Sequence, residues 1–410
     1  MRKSTVLGIL LALVFMTAGM GLPFHEGGKL ALSNLTPLPF LALAGLLFIR
    51  ERGTLDRRWL AFMVVFNIAC CASFAIFLVR YRWPPNFPVL FFEDVELVFC
   101  SLLWWYGRKY PGAFRTAVKL GILASMPITA LYGWHELRSA TWFSAGMDDK
   151  SQGAVLLCCQ AYVLIRFFGG RLKRLLGAGL YVASFVTVSR LPVFLAPAIL
   201  IALMRRSRIA AFATLLAGVA CVYLIVVAGN LVKSTFAVYS RLSSVQMITG
   251  SDSTEAHLQL LQTAVHIKFT DPWAFVFGIG PDNFSKALIS SQVSIGKLES
   301  LDPELVEYAL QGKAPLHSTP VQMLLDYNIG LFILFVLIIL RAFAFLVRRR
   351  NMTDLFFAFG LLLAATFYSL HNKPYFYLYV TTVSLLICEE AVAETVAAAP
   401  ALVRPALEQG

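Results

Sequence analysis

Residues 171–208 read RLKRLLGAGLYVASFVTVSRLPVFLAPAILIALMRRSR, and the layout of the whole chain follows from how they are counted. The 30 residues between Arg174 and Arg205 would make one helix about 45 Å long, too long for a hydrocarbon core of about 30 Å. Two half-length helices fit better. Both flanks are strongly basic, with Arg171, Lys173 and Arg174 before and Arg205, Arg206 and Arg208 after. Lysine and arginine gather on the cytoplasmic side of membrane proteins, so both ends are expected there, with the chain turning back at Ser189-Arg190-Leu191-Pro192. Arms of about 14 residues rise only about 21 Å. Arg190 is therefore expected below the outer membrane surface, on the floor of a water-filled cavity. An arginine at that depth is costly unless it snorkels to the headgroups, pairs with a carboxylate such as Glu93 or Asp94, or meets an anion. The anion is the functional reading.

Composition supports the same frame. Of the 410 residues, 58% are hydrophobic and 14% charged, and the mean hydropathy of +0.72 exceeds what the surface of a soluble domain tolerates. An all-α, polytopic membrane protein is expected, with about twelve spans near 4–22, 36–49, 59–79, 88–106, 116–132, 152–168, 175–188, 191–204, 209–229, 320–340, 353–370 and 374–388. Met1-Arg2-Lys3 and the apolar residues to Leu22 read as the first span rather than a cleaved signal. With the N-terminus in the cytoplasm, basic residues concentrate on the inner loops. The short outer loops carry only Lys29, Arg80, Arg82, Arg138, Lys150, Arg190 and Lys373. The net charge of +12 therefore reports orientation first and an anionic partner second, and implies no nucleic acid. The seven cysteines lie in apolar runs without a Cys-x-x-Cys spacing and read as packing residues. One transmembrane domain is expected over 1–390, with a disordered cytoplasmic tail over 391–410.

The single long polar stretch, about 230–316, is expected as a large outer loop. Asp252-Ser253-Thr254-Glu255 has the form of a capping box, followed by apolar stripes at Leu258, Leu261, Val265 and at Leu260, Ala264, Ile267, which predicts an amphipathic helix ending before Asp271-Pro272. His257 and His266 point to opposite faces of that helix, whereas His257 and Lys268 share one. Gly278-Ile279-Gly280-Pro281-Asp282-Asn283 reads as a turn and not as a dinucleotide motif. The fourth span opens with Glu93, Asp94 and Glu96, which cannot face lipid cheaply. They either pair with arginine or hydrogen-bond sugar hydroxyls. The loop closes at Leu316-His317-Ser318-Thr319-Pro320, where Pro320 suits a first helical turn and His317 stands at a junction of water and membrane.

Three stretches together resemble the O-antigen ligase and O-antigen polymerase superfamily. They are Thr187-Val188-Ser189-Arg190, the segment from Tyr239-Ser240-Arg241 to Gly278–Phe284, and His317-Ser318 with Leu324–Leu331. Asp149-Lys150-Ser151 is a weaker fourth match. The resemblance covers roughly 147–335. It implies a membrane glycosyltransferase moving a glycan from an undecaprenyl diphosphate carrier to a glycan or lipid A core acceptor, at the periplasmic face of a bacterial inner membrane. Arg190 and His317 are the implied catalytic residues, and Arg190, Arg241 and His257 the implied donor-diphosphate residues. His257 stands where the family often carries a second arginine. Glu93, Asp94 and Lys150 are candidates for glycan contact or structure.

The residues suit that chemistry. A guanidinium stays charged and forks onto phosphate oxygens, stabilising a departing diphosphate without a metal, so no cofactor is expected, although Glu93, Asp94 and Asp148 leave a metal route open. A histidine base at position 317 would activate the acceptor hydroxyl. The competing class is a transporter or flippase for an anionic lipid-linked glycan, for which an inverted repeat would be the sign.

Overall fold

The computed structural model describes residues 3–18, 21–24, 28–31, 35–138, 143–145, 147, 150–187, 189–205, 207–231, 251–290, 303–311, 316, 318–370 and 373–407. Arg241, His317, Asp148 and Asp149 lie outside the described residues, as does the side chain of His257. Helices dominate: α1 (Lys3–Thr17), α2 (Pro37–Arg50), α3 (Arg57–Tyr81), α4 (Phe87–Lys109), α5 (Pro111–Arg138), α6 (Lys150–Phe167), α7 (Arg171–Val186), α8 (Leu191–Met204) and α9 (Arg208–Leu231) come first. The second part holds α10 (Ser251–Thr270), α11 (Pro272–Phe277), α12 (Phe284–Ser290), α13 (Pro303–Leu310), α14 (Thr319–Asp326), α15 (Ile329–Arg348), α16 (Met352–Phe367) and α17 (Pro374–Leu407). A two-stranded antiparallel hairpin pairs Gly21–Phe24 with Gly28–Ala31.

Each apolar window of the sequence holds a helix. Among the described residues four helices are long and apolar enough to cross a membrane: α3, Pro111–Glu136 of α5, α15, and Tyr375–Glu394 of α17. Shorter apolar helices are α1, α2, α8, α16 and Arg208–Cys221 of α9. The α15 helix makes the need for a bilayer plain. Its 20 residues reach about 30 Å, and only 11% of its apolar window is buried within the protein. Ile333, Leu337 and Leu340 point outward, and water would not tolerate such a face.

The core is organised around α6, in which every residue from Gln152 to Ile165 is buried. A helix buried on all sides belongs at the centre of a bundle. α7 runs antiparallel to it: Ser189 meets Ser151 at one end, the Cys158 thiol meets Ser184 midway, and Gly177 lies against Ile165 near the other end. α8 then returns, so that Arg205 rejoins Arg166 around one cleft. The reversal expected at residues 189–192 is present, and its cause is local. The Thr187 hydroxyl accepts the Ser189 N–H (3.2 Å) and the Ser189 hydroxyl accepts the Leu191 N–H (3.3 Å). These side-chain turns compete with the helix, and Pro192 stands in the first turn of α8, where its missing N–H costs nothing.

Four expectations need correction. The window at 320–340 is two helices, broken at Tyr327-Asn328, because the Asn328 side chain accepts the Leu331 N–H (2.8 Å) and caps a new start. The segment 391–407, expected to be disordered, continues α17, in keeping with the high helix propensity of its alanines. The chain is already helical at Ser251, so the Asp252–Glu255 box lies within α10 and not before it. Of the two stripes on α10, only Leu260, Ala264 and Ile267 are buried, while Leu258 and Val265 face outward. The buried stripe packs with Ala274, Phe284, Leu288 and Leu325 into a small second core that includes Phe77 of α3.

Candidate functional site

The α7–α8 reversal lies at one end of the bundle, and described parts of the other singled-out stretches connect to that same end. Ser189 and Ser151 have hydroxyls 3.5 Å apart. The neighbouring Gln152 donates to the Tyr368 hydroxyl (3.2 Å), and the Tyr368 carbonyl accepts from Thr319 (3.2 Å) at the start of α14. Thr319 also accepts the Leu370 N–H (2.8 Å), and Gln322 accepts from Ser369 (2.6 Å). At the other end of α14 the Ile279 and Gly280 N–H groups donate to the Leu325 and Asp326 carbonyls (3.1 and 2.9 Å). An unbroken path of polar contacts therefore runs from Ser189 through α6, residues 368–370 and α14 to the glycine turn.

That turn is shaped by its glycines. Gly278 has φ +79°, and a Cβ there would fall 2.4 Å from the Asp326 carbonyl oxygen; Gly280 has φ +78°, and its Cβ would fall 2.4 Å from the Phe74 ring. Only glycine meets both demands. Asn283 ties the turn internally through Ile279 and Gly280 carbonyls (3.0 and 3.2 Å). It also accepts the Asn86 N–H at the start of α4 (3.1 Å).

Lys268, fully buried on α10, donates to the Ala274 and Tyr327 carbonyls, both at 2.8 Å. Burial pushes its pKa down to about 8, against the opposing pull of the Asp326 carboxylate. The sequence signal for it was present: Lys268 follows Ala264 by four and continues the buried stripe. Tyr368 and Asp326 carried no such signal, since each matters through partners distant in sequence.

Glu93 and Asp94 bind neutral partners. Glu93 is buried and accepts from the Tyr327 hydroxyl (3.0 Å), while Asp94 accepts from Asn67 (2.8 Å). Neither belongs to an ion pair among the described residues, so the expected pairing with arginine is replaced by hydrogen bonds. Asp326 is completely buried beside the Gln322 side chain and the Asp282 backbone, and the second oxygen of Glu93 lacks a hydrogen-bond partner among the described residues. Arg190 is exposed at the N-cap of α8, and Lys150, half-buried, opens α6 at the same end. His266 is exposed.

A narrow apolar cleft lies between α1, α4 and α17, lined by Val14, Ala18, Phe92, Val95, Phe99 and Tyr375, with Glu96 as its charged residue. Among the described residues no three His, Cys, Asp or Glu side chains are grouped as a metal site. No protein-family model matches the chain, and no curated protein matches it.

Proposed function

We propose that this protein is a membrane glycosyltransferase of the O-antigen ligase and polymerase type. It transfers a glycan from an undecaprenyl diphosphate carrier to an acceptor hydroxyl. The observation that carries the reading is the convergence, through hydrogen bonds, of four stretches separated by up to 180 residues in sequence: Lys150-Ser151, Ser189-Arg190, Ile279–Asn283 and Thr319–Tyr327. Each overlaps a stretch on which the family resemblance rests, while Tyr239–Arg241 and His317 lie outside the described residues.

In this reading the diphosphate lies at Arg190, with Lys150 across the Ser189–Ser151 contact and Arg241 and His257 as further donor contacts. His317, adjacent to buried Ser318, takes the proton of the acceptor hydroxyl. The freed oxygen bonds to the anomeric carbon as the bond from that carbon to the diphosphate oxygen breaks. The electron pair leaves with the diphosphate, where the Arg190 fork stabilises it without a metal. The apolar cleft beside Glu96 suits the first isoprenoid units of the carrier. The twelve apolar segments would then form a multi-pass domain in a bacterial inner membrane, with this end facing the periplasm.

The test uses purified protein with a lipid-linked repeat unit. Ladder formation without added acceptor identifies a polymerase, and transfer only onto an added acceptor identifies a ligase. Arg190→Lys keeps the charge but loses the fork, so transfer should fall severely while the amount of folded protein holds. Unchanged turnover in that variant, or no transfer by the wild type to either acceptor, refutes the reading.

A further inference from the structure

At the opposite end of the bundle a polar cleft of about 480 Å³ is lined by four arginines: Arg166, Arg205, Arg349 and Arg350. Its carboxylates serve two of them. Arg166 forks onto Asp354 (3.1 and 3.3 Å) and onto Glu390 (3.1 and 2.7 Å), and Asp354 also accepts from Tyr162 and Asn351. Arg349 donates to Glu394 (2.8 Å) and to the Ile387 carbonyl (3.3 Å). The Arg205 and Arg350 side chains are exposed and have no hydrogen-bond or ion-pair partner among the described residues. Two guanidinium groups thus face one cleft with no carboxylate among the described residues paired to them.

The backbone sets where Arg350 stands. It has φ +51°, and its N–H bonds the Val347 carbonyl (2.9 Å) while the Asn351 N–H bonds the Leu346 carbonyl (3.3 Å). This is the Schellman closure of α15, whose left-handed position normally holds glycine. Arg52 has a similar φ after α2, so the conformation serves helix termination. What distinguishes Arg350 is the second uncompensated arginine across the cleft.

The surroundings are amphipathic. Met204, beside Arg205 in the chain, is 48% exposed; Phe345, one turn before Arg349, is 43% exposed; and Val392, between Glu390 and Glu394, is 60% exposed. A soluble anion would find no use for such a margin, whereas acyl chains would cover it. Basic pockets between membrane helices recognise anionic headgroups, and the guanidinium fork fits a phosphodiester. We propose that the Arg205–Arg350 cleft is a binding site for the phosphate headgroup of an anionic phospholipid. The site is separated from the Ser189–Ser151 end by the length of α6, about 27 Å for its 18 residues. The proposal does not rest on the glycosyltransferase reading.

The experiment is thermal melting of the full chain in zwitterionic phosphatidylcholine micelles titrated with phosphatidylglycerol, with further phosphatidylcholine and with millimolar inorganic phosphate. Phosphatidylglycerol should raise the melting temperature saturably, and the other two should not. In the Arg205→Gln/Arg350→Gln double variant the midpoint of that rise should move to about tenfold higher lipid or beyond. Arg350→Gly guards against a folding defect, because it relaxes the left-handed residue. It should melt no lower than wild type in phosphatidylcholine, yet respond less to phosphatidylglycerol. An unchanged midpoint in the double variant overturns the proposal. A rise with inorganic phosphate alone overturns the lipid assignment in favour of a soluble anion.

Discussion

The two ends of α6 treat buried charge in opposite ways. At the Arg166 end the acids meet arginine: Asp354, completely buried, receives bonds from Tyr162, Arg166 and Asn351, Glu390 receives both ends of the Arg166 fork, and Glu389 accepts from Arg115. At the Ser189–Ser151 end Asp326 is as deeply buried beside the Gln322 side chain and the Asp282 backbone, and Glu93 has one bond from Tyr327 with its second oxygen unbonded among the described residues. An unsatisfied buried polar group costs about 1–3 kcal/mol, and such groups persist where something other than stability requires them. One end holds its acids with cations, the other with neutral groups.

If that division is right, variants at the two ends should separate activity from stability. The largest effect is expected for His317→Ala, which should lower transfer by about 10² to 10⁴-fold while melting and donor binding hold, because a general base contributes that much to rate and little to folding. Single-turnover transfer measures it. A wild-type rate, with His257→Ala inactive, would move the base to α10. Arg166→Ala should do the reverse. Removing one partner of a buried ion network costs about 3–5 kcal/mol, read from denaturant unfolding, while the rate per folded molecule stays near wild type. A proportionate loss of rate would dissolve the distinction between the ends. Tyr327→Phe strips Glu93 of its hydroxyl donor and should cost about 1–3 kcal/mol, visible as a lower unfolding midpoint.

The gentlest effect is a slope. Lys268 has a folded pKa of about 8, below the ordinary lysine value of about 10.4. The unfolded chain therefore binds more protons between these values, and stability should rise as pH climbs from about 8 to 10.4. Lys268→Met should remove that rise, as followed by melting across the interval. Persistence of the slope in the variant would assign it to another group.

The sequence makes the secondary structure readable because it depends on local signals. The apolar windows mark the helices, the basic flanks of residues 175–204 require a reversal, and Ser189 and Pro192 supply its chemistry. Where a local signal was misjudged, a competing local effect explains it. Asn328 restarted a helix inside an apolar window, and alanine propensity carried α17 through a stretch that looked like a tail. The site is less legible. Tyr368 joins α6 to α14 across 216 residues on one side and 49 on the other, and no pattern within either segment announces it. Glu93 looked like an arginine partner because intramembrane carboxylates usually need a cation. Tyr327, 234 residues away, supplies a neutral donor instead.

The sealing of α6 has a consequence for how the chain enters its membrane. Its buried face carries Gln152, Gln160 and Tyr162, and it does not count among the helices apolar enough to cross by composition. Polar side chains of this kind resist partitioning into lipid, so α6 gains little by leaving the insertion machinery alone. The next segments to emerge, α7 and α8, are the ones that pack along it and take the Cys158–Ser184 and Ser151–Ser189 contacts. Release into the bilayer is thereby tied to synthesis of the hairpin. A chain stopped before Arg171 should leave α6 extractable by alkali, and one extended past Arg208 should retain it.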